Sequence, residues 1–283
     1  MIQIVPDKDV VTKRIQIGKI PAIILTPAIP RDNAPGILWI HGGGYRIGMK
    51  EMVYFSRAMN LVKRFGCVVV APGYRLSWQA PYPAAIMDCY KALVFLKRHA
   101  EELGVRKDQI MVGGESAGGG LAAAVCMLAH DKGEVNVAFQ MPLYPMLSNI
   151  DTDSSIENHG HVWNTRKNHA AWKLYLGDKA EGKVSAYASP SWRKDYTGLP
   201  PAYTFVGDGE PFYDETLAYI KNLQEAGVPA EVDVYHTDVH AFDMLLPHLD
   251  ISQKAIDTFE EKFLYAMQHY FAENESAEIG VKK

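Results

Sequence analysis

The run from Gln109 to Leu128 constrains this chain more than any other. Gln109-Ile110-Met111-Val112-Gly113 is short and apolar, which predicts a buried strand, and Leu121 to Leu128 is made of small and apolar residues, which predicts a helix. Between them stands Gly114-Glu115-Ser116-Ala117-Gly118-Gly119. A serine at such a junction is held on a sharp, strained turn with its hydroxyl exposed. The flanking positions are glycine because a side chain there would strike the turn or the neighbouring strand. Gly-x-Ser-x-Gly alone arises by chance, so the rest of the chain must supply the other groups that a nucleophilic serine needs.

Upstream, the apolar run Gly36-Ile37-Leu38-Trp39-Ile40 leads into His41-Gly42-Gly43-Gly44-Tyr45. Consecutive glycines after a strand let the backbone approach a ligand and aim its N–H groups inward. That suits an oxyanion hole, in which amide donors stabilise charge developing on a tetrahedral intermediate. The expected donors are the N–H groups of Gly43, Gly44 and Ala117. His41 is expected to order this loop rather than carry a proton.

Downstream, the strand-like run Ala202 to Val206 is followed by Gly207-Asp208-Gly209-Glu210-Pro211. The strand-like run Ala230 to Tyr235 is followed by His236 and, in Asp238-Val239-His240-Ala241-Phe242, by His240. Serine, acid and histidine therefore occur in the order used by one class of hydrolase folds. Both downstream sites fall at carboxyl ends of strands, where open α/β sheets place their ligands. His240 is the expected base, with His236 as its rival. Asp208 and Glu210 are the two candidate acids.

The rest of the chain alternates in the same manner. An opening antiparallel pair is expected at 12–17 and 22–26, then a strand at 36–41, a helix over 51–65 and a strand at 67–71. Pro81 and Pro83 interrupt before a helix from about Ala84 to Leu103, with Ile86, Tyr90, Leu93 and Val94 at helical spacing. After the serine junction come a strand at 137–142, another at 202–206, a helix at 212–226, a strand at 230–236 and an amphipathic helix at 252–271. This βαβ alternation predicts an α/β fold with a mostly parallel central sheet and helices on both faces. The strand at 230–236 would be a sheet edge able to pair with a second copy in a homo-oligomer. The polar end, Ala272 to Lys283, is expected to fray.

These segments carry a resemblance. His41-Gly42-Gly43-Gly44, Tyr74-Arg75-Leu76 with Pro81-Tyr82-Pro83-Ala84, Gly114 to Gly119, Glu210-Pro211-Phe212-Tyr213-Asp214-Glu215 and His240-Ala241-Phe242 stand in one order over roughly residues 35 to 245. As a set they resemble the hormone-sensitive-lipase-like esterases of the α/β-hydrolase superfamily. The resemblance implies a carboxylesterase acting on a small-molecule ester without a cofactor. It also implies one domain over 1–283, with a small cap inserted at about 149–195. Aligned on Pro211, the family's catalytic aspartate falls on Glu210, which makes Glu210 the choice over Asp208. Ser116, Glu210 and His240 then form a triad. Tyr45, Tyr144 and Trp163 are candidate pocket walls, and Trp172 and Tyr175 are plausible lining; for Trp163, Trp172 and Tyr175 the alternative is packing of the cap onto the core. Family members often carry a longer N-terminal segment, so a more open active-site mouth than theirs is expected here, unless a partner subunit covers it. The same site chemistry also serves amide or formamide hydrolysis and acyl transfer. Some plant hormone receptors resemble this fold without the histidine, and a binding protein is the remaining alternative.

Composition agrees with this reading. The chain has 283 residues, enough for one sizeable core, with 48% hydrophobic and 22% charged residues. A net charge of −4 gives no reason to expect a nucleic-acid partner. No run has the length of a membrane span and no signal peptide is visible at Met1 to Asp9, so no membrane role and a cytoplasmic location are expected. Cys67, Cys89 and Cys126 are expected to be buried free thiols, and no Cys/His cluster has zinc spacing, so no metal is expected. Arg75 and Asp88 are expected to anchor loops, and Asp214 and Glu215 to favour the positive end of a helix.

Overall fold

The computed structural model describes residues 7–272. The polar end beyond Ala272, expected to fray, lies outside the described residues. Eight strands form one sheet in the order β1-β2-β4-β3-β5-β6-β7-β8. They are β1 (Val10–Ile17), β2 (Ile20–Pro27), β3 (Ala34–Ile40), β4 (Val68–Pro72), β5 (Val105–Glu115), β6 (Phe139–Leu143), β7 (Ala202–Gly207) and β8 (Ala230–Tyr235). The first hairpin is antiparallel and β2 joins β4 antiparallel; from β4 to β8 every neighbour pair is parallel. Among the described residues the α-helices are α1 (Arg57–Asn60), α2 (Ala84–Arg98), α3 (Ala117–Lys132), α4 (Thr165–Leu176), α5 (Tyr213–Glu225), α6 (Phe242–Leu245) and α7 (Asp250–His269).

Parallel strands covered on both faces read as continuous apolar runs, and alternate residues then serve opposite layers. β3 shows this: Leu38 and Ile40 join a core with Leu93 and Leu96 of α2 and Leu121 and Val125 of α3. Ile37 and Trp39 face the other way, into a core with Leu61, Val62 and the α7 residues Phe259 and Phe263. Cys67, Cys89 and Cys126 are buried free thiols. Among the described residues no helix is long and apolar enough to cross a membrane.

The expected single helix over 51–65 is instead three short pieces: a 3-10 turn at Lys50–Phe55, α1, and a π turn at Leu61–Phe65. Ser56 causes the first break. It is extended (φ −87°, ψ 170°), and its hydroxyl accepts from the Ala58 N–H at 3.2 Å, capping α1. The helix expected to reach Leu103 ends at Arg98.

Strand register positions the site. Ile40 pairs with Gly114, Glu115 with Leu143, and Gly207 with Tyr235. The loops after β3, β5, β6, β7 and β8 therefore emerge at one edge of the sheet, its carboxyl edge. Between β6 and β7 the chain makes a long, turn-rich excursion that includes α4, whose N-terminus is capped by Asn164 accepting from the Lys167 N–H at 3.1 Å.

Candidate active site

Ser116 sits between β5 and α3 with φ 58° and ψ −120°, a conformation that non-glycine residues rarely adopt. Surrounding atoms hold it there. Its N–H donates to the Leu143 carbonyl at 3.0 Å, and its carbonyl accepts from the N–H groups of Gly120 at 2.9 Å and Met146 at 3.0 Å. Gly118 makes the turn possible: a Cβ at that position would lie 2.1 Å from the Ile40 carbonyl oxygen and 2.5 Å from that of His41.

His240 Nε2 lies 2.8 Å from Ser116 Oγ, and its Nδ1 contacts Glu210 Oε2. A carboxylate can only accept, so the imidazole proton belongs on Nδ1, and Nε2 presents its lone pair to the serine hydroxyl. The second oxygen of Glu210 accepts from the Gly207 N–H at 2.8 Å. Glu210 is fully buried, His240 retains 4% of its surface and Ser116 7%. The rival pair is elsewhere: Asp208 faces His236 at 2.8 Å on the surface and also accepts from the Thr237 N–H at 3.1 Å. Ser116, Glu210 and His240 are thus brought together, and Asp208 and His236 are paired with each other.

The glycine loop runs beside the serine. A Cβ on Gly42 would be 3.2 Å from Ser116 Cβ. Gly43 and Gly44 take φ values of 110° and 59°. Among the described residues no hydrogen bond claims the N–H of either glycine. Ala117 opens α3, where first-turn N–H groups lack an intrahelical acceptor. His41 orders the loop from beneath. Its Nδ1 bonds the Gly42 carbonyl at 2.8 Å, its ring stacks on Tyr74 at 4.2 Å, and burial pulls its pKa down to about 4, keeping it neutral.

The aromatic residues divide. Trp163 lies over the loop, so that a Cβ on Gly44 would come 2.2 Å from its Cη2. Its ring is 6.5 Å from His240 and 6.4 Å from Phe212, and its Nε1 donates to Asn168 at 3.3 Å. Tyr45 and Tyr144 differ from their expectation as pocket walls. Tyr45 is buried and stacked on Tyr175 at 4.1 Å, and Tyr144 is fully buried with its ring meeting Phe205 and His240 edge-on. Their faces are already taken by protein. Trp172 and Tyr175 are also buried and fasten α4 to the core.

Other polar residues gain partners that no local signal reveals. Glu215 accepts from the Leu147 N–H at 2.6 Å, and Asp214 accepts from the Ser154 N–H at 2.7 Å, so the start of α5 ties down the chain leaving β6. Burial pushes the Glu215 carboxyl up to about 8. Arg75 grips the buried Asp88 through two bonds of 2.8 Å, as expected of a loop anchor. Among the described residues no group of three or more His, Cys, Asp or Glu is arranged to hold a metal ion.

Parallel strands feeding a strained serine turn at their carboxyl edge define a class of hydrolases, and the chain belongs to it: the alpha/beta hydrolase fold family matches residues 37–244. Within that family the chain is 31% identical over 230 residues to the carboxylesterase NlhH of Mycobacterium tuberculosis, covering 79% of this chain and 71% of that protein. It is 28% identical over 220 residues to the ethyl acetate hydrolase of Pseudomonas putida, covering 75% of this chain and 69% of that protein. Among solved structures it is similar to a bacterial heroin esterase, with a TM-score of 0.87, 32% identity and coverage of 91% of this chain and 84% of that one.

Proposed function

We propose that the chain hydrolyses small, apolar carboxylic esters through an acyl-enzyme on Ser116, with His240 as base and Glu210 as its carboxylate partner. At the coarser level the chain is a carboxylic ester hydrolase, as the names of its relatives and the neighbouring esterase structure support. The observation that carries the finer reading is the 2.8 Å approach of His240 Nε2 to a strained Ser116.

A serine hydroxyl is a weak nucleophile until a base takes its proton. His240 takes it as Oγ attacks the ester carbonyl, then returns it to the leaving alcohol. Glu210 holds the tautomer and stabilises the imidazolium. Charge developing on the former carbonyl oxygen falls to the N–H groups of Gly43, Gly44 and Ala117; one such donor is typically worth about 2.7–4 kcal/mol. Water activated by the same imidazole then releases the acid. The excursion between β6 and β7 acts as a cap, and Trp163 limits the room beside Gly44, which favours short acyl chains. The hydrolysis of ethyl acetate by one relative agrees with this size class. Rates on p-nitrophenyl esters from two to sixteen acyl carbons test the reading. A maximum at the short end, lost in Ser116→Ala, is expected; a maximum at long chains would refute the size class.

A further inference from the structure

Beneath the imidazole lies a second polar cluster that takes no direct part in ester cleavage. It comprises Arg57 of α1, Asp243 of α6, Tyr144 just past β6 and Glu115 at the end of β5, with 6%, 0%, 0% and 4% of their surfaces exposed. Arg57 Nε lies 3.2 Å from Asp243 Oδ2, and the Tyr144 hydroxyl faces the same carboxyl. Glu115 senses both charges, and its Oε1 accepts from Trp39 Nε1 at 2.9 Å. Burial pushes the Glu115 carboxyl up to about 8 and raises the Asp243 carboxyl as well, with the Arg57 guanidinium the main charge that favours the Asp243 carboxylate.

This cluster is poorly bonded for its burial. Arg57 Nε, the Tyr144 hydroxyl and both Asp243 oxygens make no well-aligned hydrogen bond. Buried ion pairs of this quality seldom add stability over an apolar substitute of similar size. Their placement supplies a different reason for them. Glu115 immediately precedes Ser116, and Asp243 follows His240 by one turn of chain. Between His240 and α6 stands Ala241 at φ 59°, a left-handed residue without the freedom of glycine, so the turn carrying the histidine needs an external anchor. Arg57 provides it from α1, whose Ala58 shares one core with Phe242 of α6. The Tyr144 ring meets the imidazole edge-on, with centroids 5.2 Å apart and planes at 80°, while its hydroxyl points back to Asp243.

We propose that Arg57, Asp243 and Tyr144 are positioning residues for His240: the ion pair anchors the turn that follows the histidine, and the tyrosine ring sets the tilt of the imidazole. This rests on Ser116, His240 and Glu210 being the catalytic group. Because the imidazole must meet both Ser116 Oγ and the leaving alcohol, a small error of tilt lowers kcat and leaves substrate binding nearly untouched.

The test is steady-state hydrolysis of p-nitrophenyl acetate by the full chain, with thermal unfolding measured on every variant. Tyr144→Phe keeps the ring and removes only the hydroxyl. It should lower kcat about three- to tenfold with KM within about twofold and an unchanged unfolding temperature. Asp243→Asn and Arg57→Met should lower kcat further, up to about a hundredfold, and Arg57→Lys should recover part of the loss. The double variant Arg57→Met with Asp243→Leu should fold at least as stably as the parent and still turn over slowly, separating positioning from stability. A parental kcat in the folded double variant, or in both Tyr144→Phe and Asp243→Asn, overturns the proposal. Should the double variant not fold, Tyr144→Phe and Asp243→Asn decide together. Ser116→Ala runs alongside: its retention of activity would refute the catalytic assignment itself, whereas an inactive Ser116→Ala with parental cluster variants refutes only the positioning role.

Discussion

Two histidine–carboxylate pairs are built from the same two loops, and only one meets the serine. His240 pairs with Glu210 and His236 with Asp208, each through Nδ1. The residues differ by only two positions on the acid loop and four on the histidine loop. Their side chains are 5% and 0% exposed in the first pair, against 98% and 39% in the second. In the buried pair the far ring nitrogen faces Ser116 Oγ, and the acid has a second fixed donor in the Gly207 N–H. In the outer pair water competes with the carboxylate and screens its charge. On the proposed assignment, the contrast teaches that a base is made by what its second nitrogen faces and by what holds its partner, since residue types and pairing geometry are alike in both.

Substitutions sharpen the comparison in order of size. Ser116→Ala should lower kcat/KM on p-nitrophenyl acetate by at least about ten-thousand-fold, with the fold intact by circular dichroism. Glu210→Gln should cost about a hundred- to ten-thousand-fold, because the amide can favour the wrong imidazole tautomer. Full activity in Glu210→Gln with loss in Asp208→Asn would reverse the assignment of the two pairs. Trp163→Ala should change the profile more than the rate, raising kcat/KM for longer acyl chains relative to acetate by about tenfold. An unchanged profile would remove Trp163 from the pocket.

The smallest effect belongs to the outer pair. Asp208→Asn should leave kcat/KM within about twofold of the parent. Its signature is in titration. The Asp208 hydrogen bond and charge raise the His236 pKa above the ordinary 6.5. A histidine raised by folding binds its proton more tightly in the native state, so its contribution to stability is fully present below about 6.5 and is lost as pH rises through the raised value. In Asp208→Asn the NMR titration midpoint of His236 should fall back toward 6.5. An unmoved midpoint would mean that the pair does not persist in solution.

The legible parts of this molecule are those in which a local backbone demand leaves a residue signature. The turn at Ser116 requires Gly118, and the left-handed Gly43 and Gly44 mark the loop beside it, so these positions are readable without a structure. The apolar strand runs were equally readable, because a strand buried on both faces has little choice of residue. The rest depends on what the sheet brings together from far along the chain. Ser56 breaks the expected helix over 51–65, and Arg57 thereby starts a new one directed at Asp243, 186 positions away. Tyr45 and Tyr144 read as pocket aromatics because burial is a tertiary property, and only the packed core shows both faces occupied. Asp214 and Glu215 read as residues of a helix start, while their main partners, Ser154 and Leu147, belong to another loop.

The central claim is that Ser116 carries the acyl group. Rapid acid quench of the enzyme during turnover of p-nitrophenyl acetate, followed by mass mapping of its peptides, tests it most directly. The account predicts one acetyl group, on the peptide containing Ser116, in the parent and none there in Ser116→Ala. Undiminished turnover by Ser116→Ala, or an acetyl group that forms and clears on another residue at the rate of turnover, would contradict it.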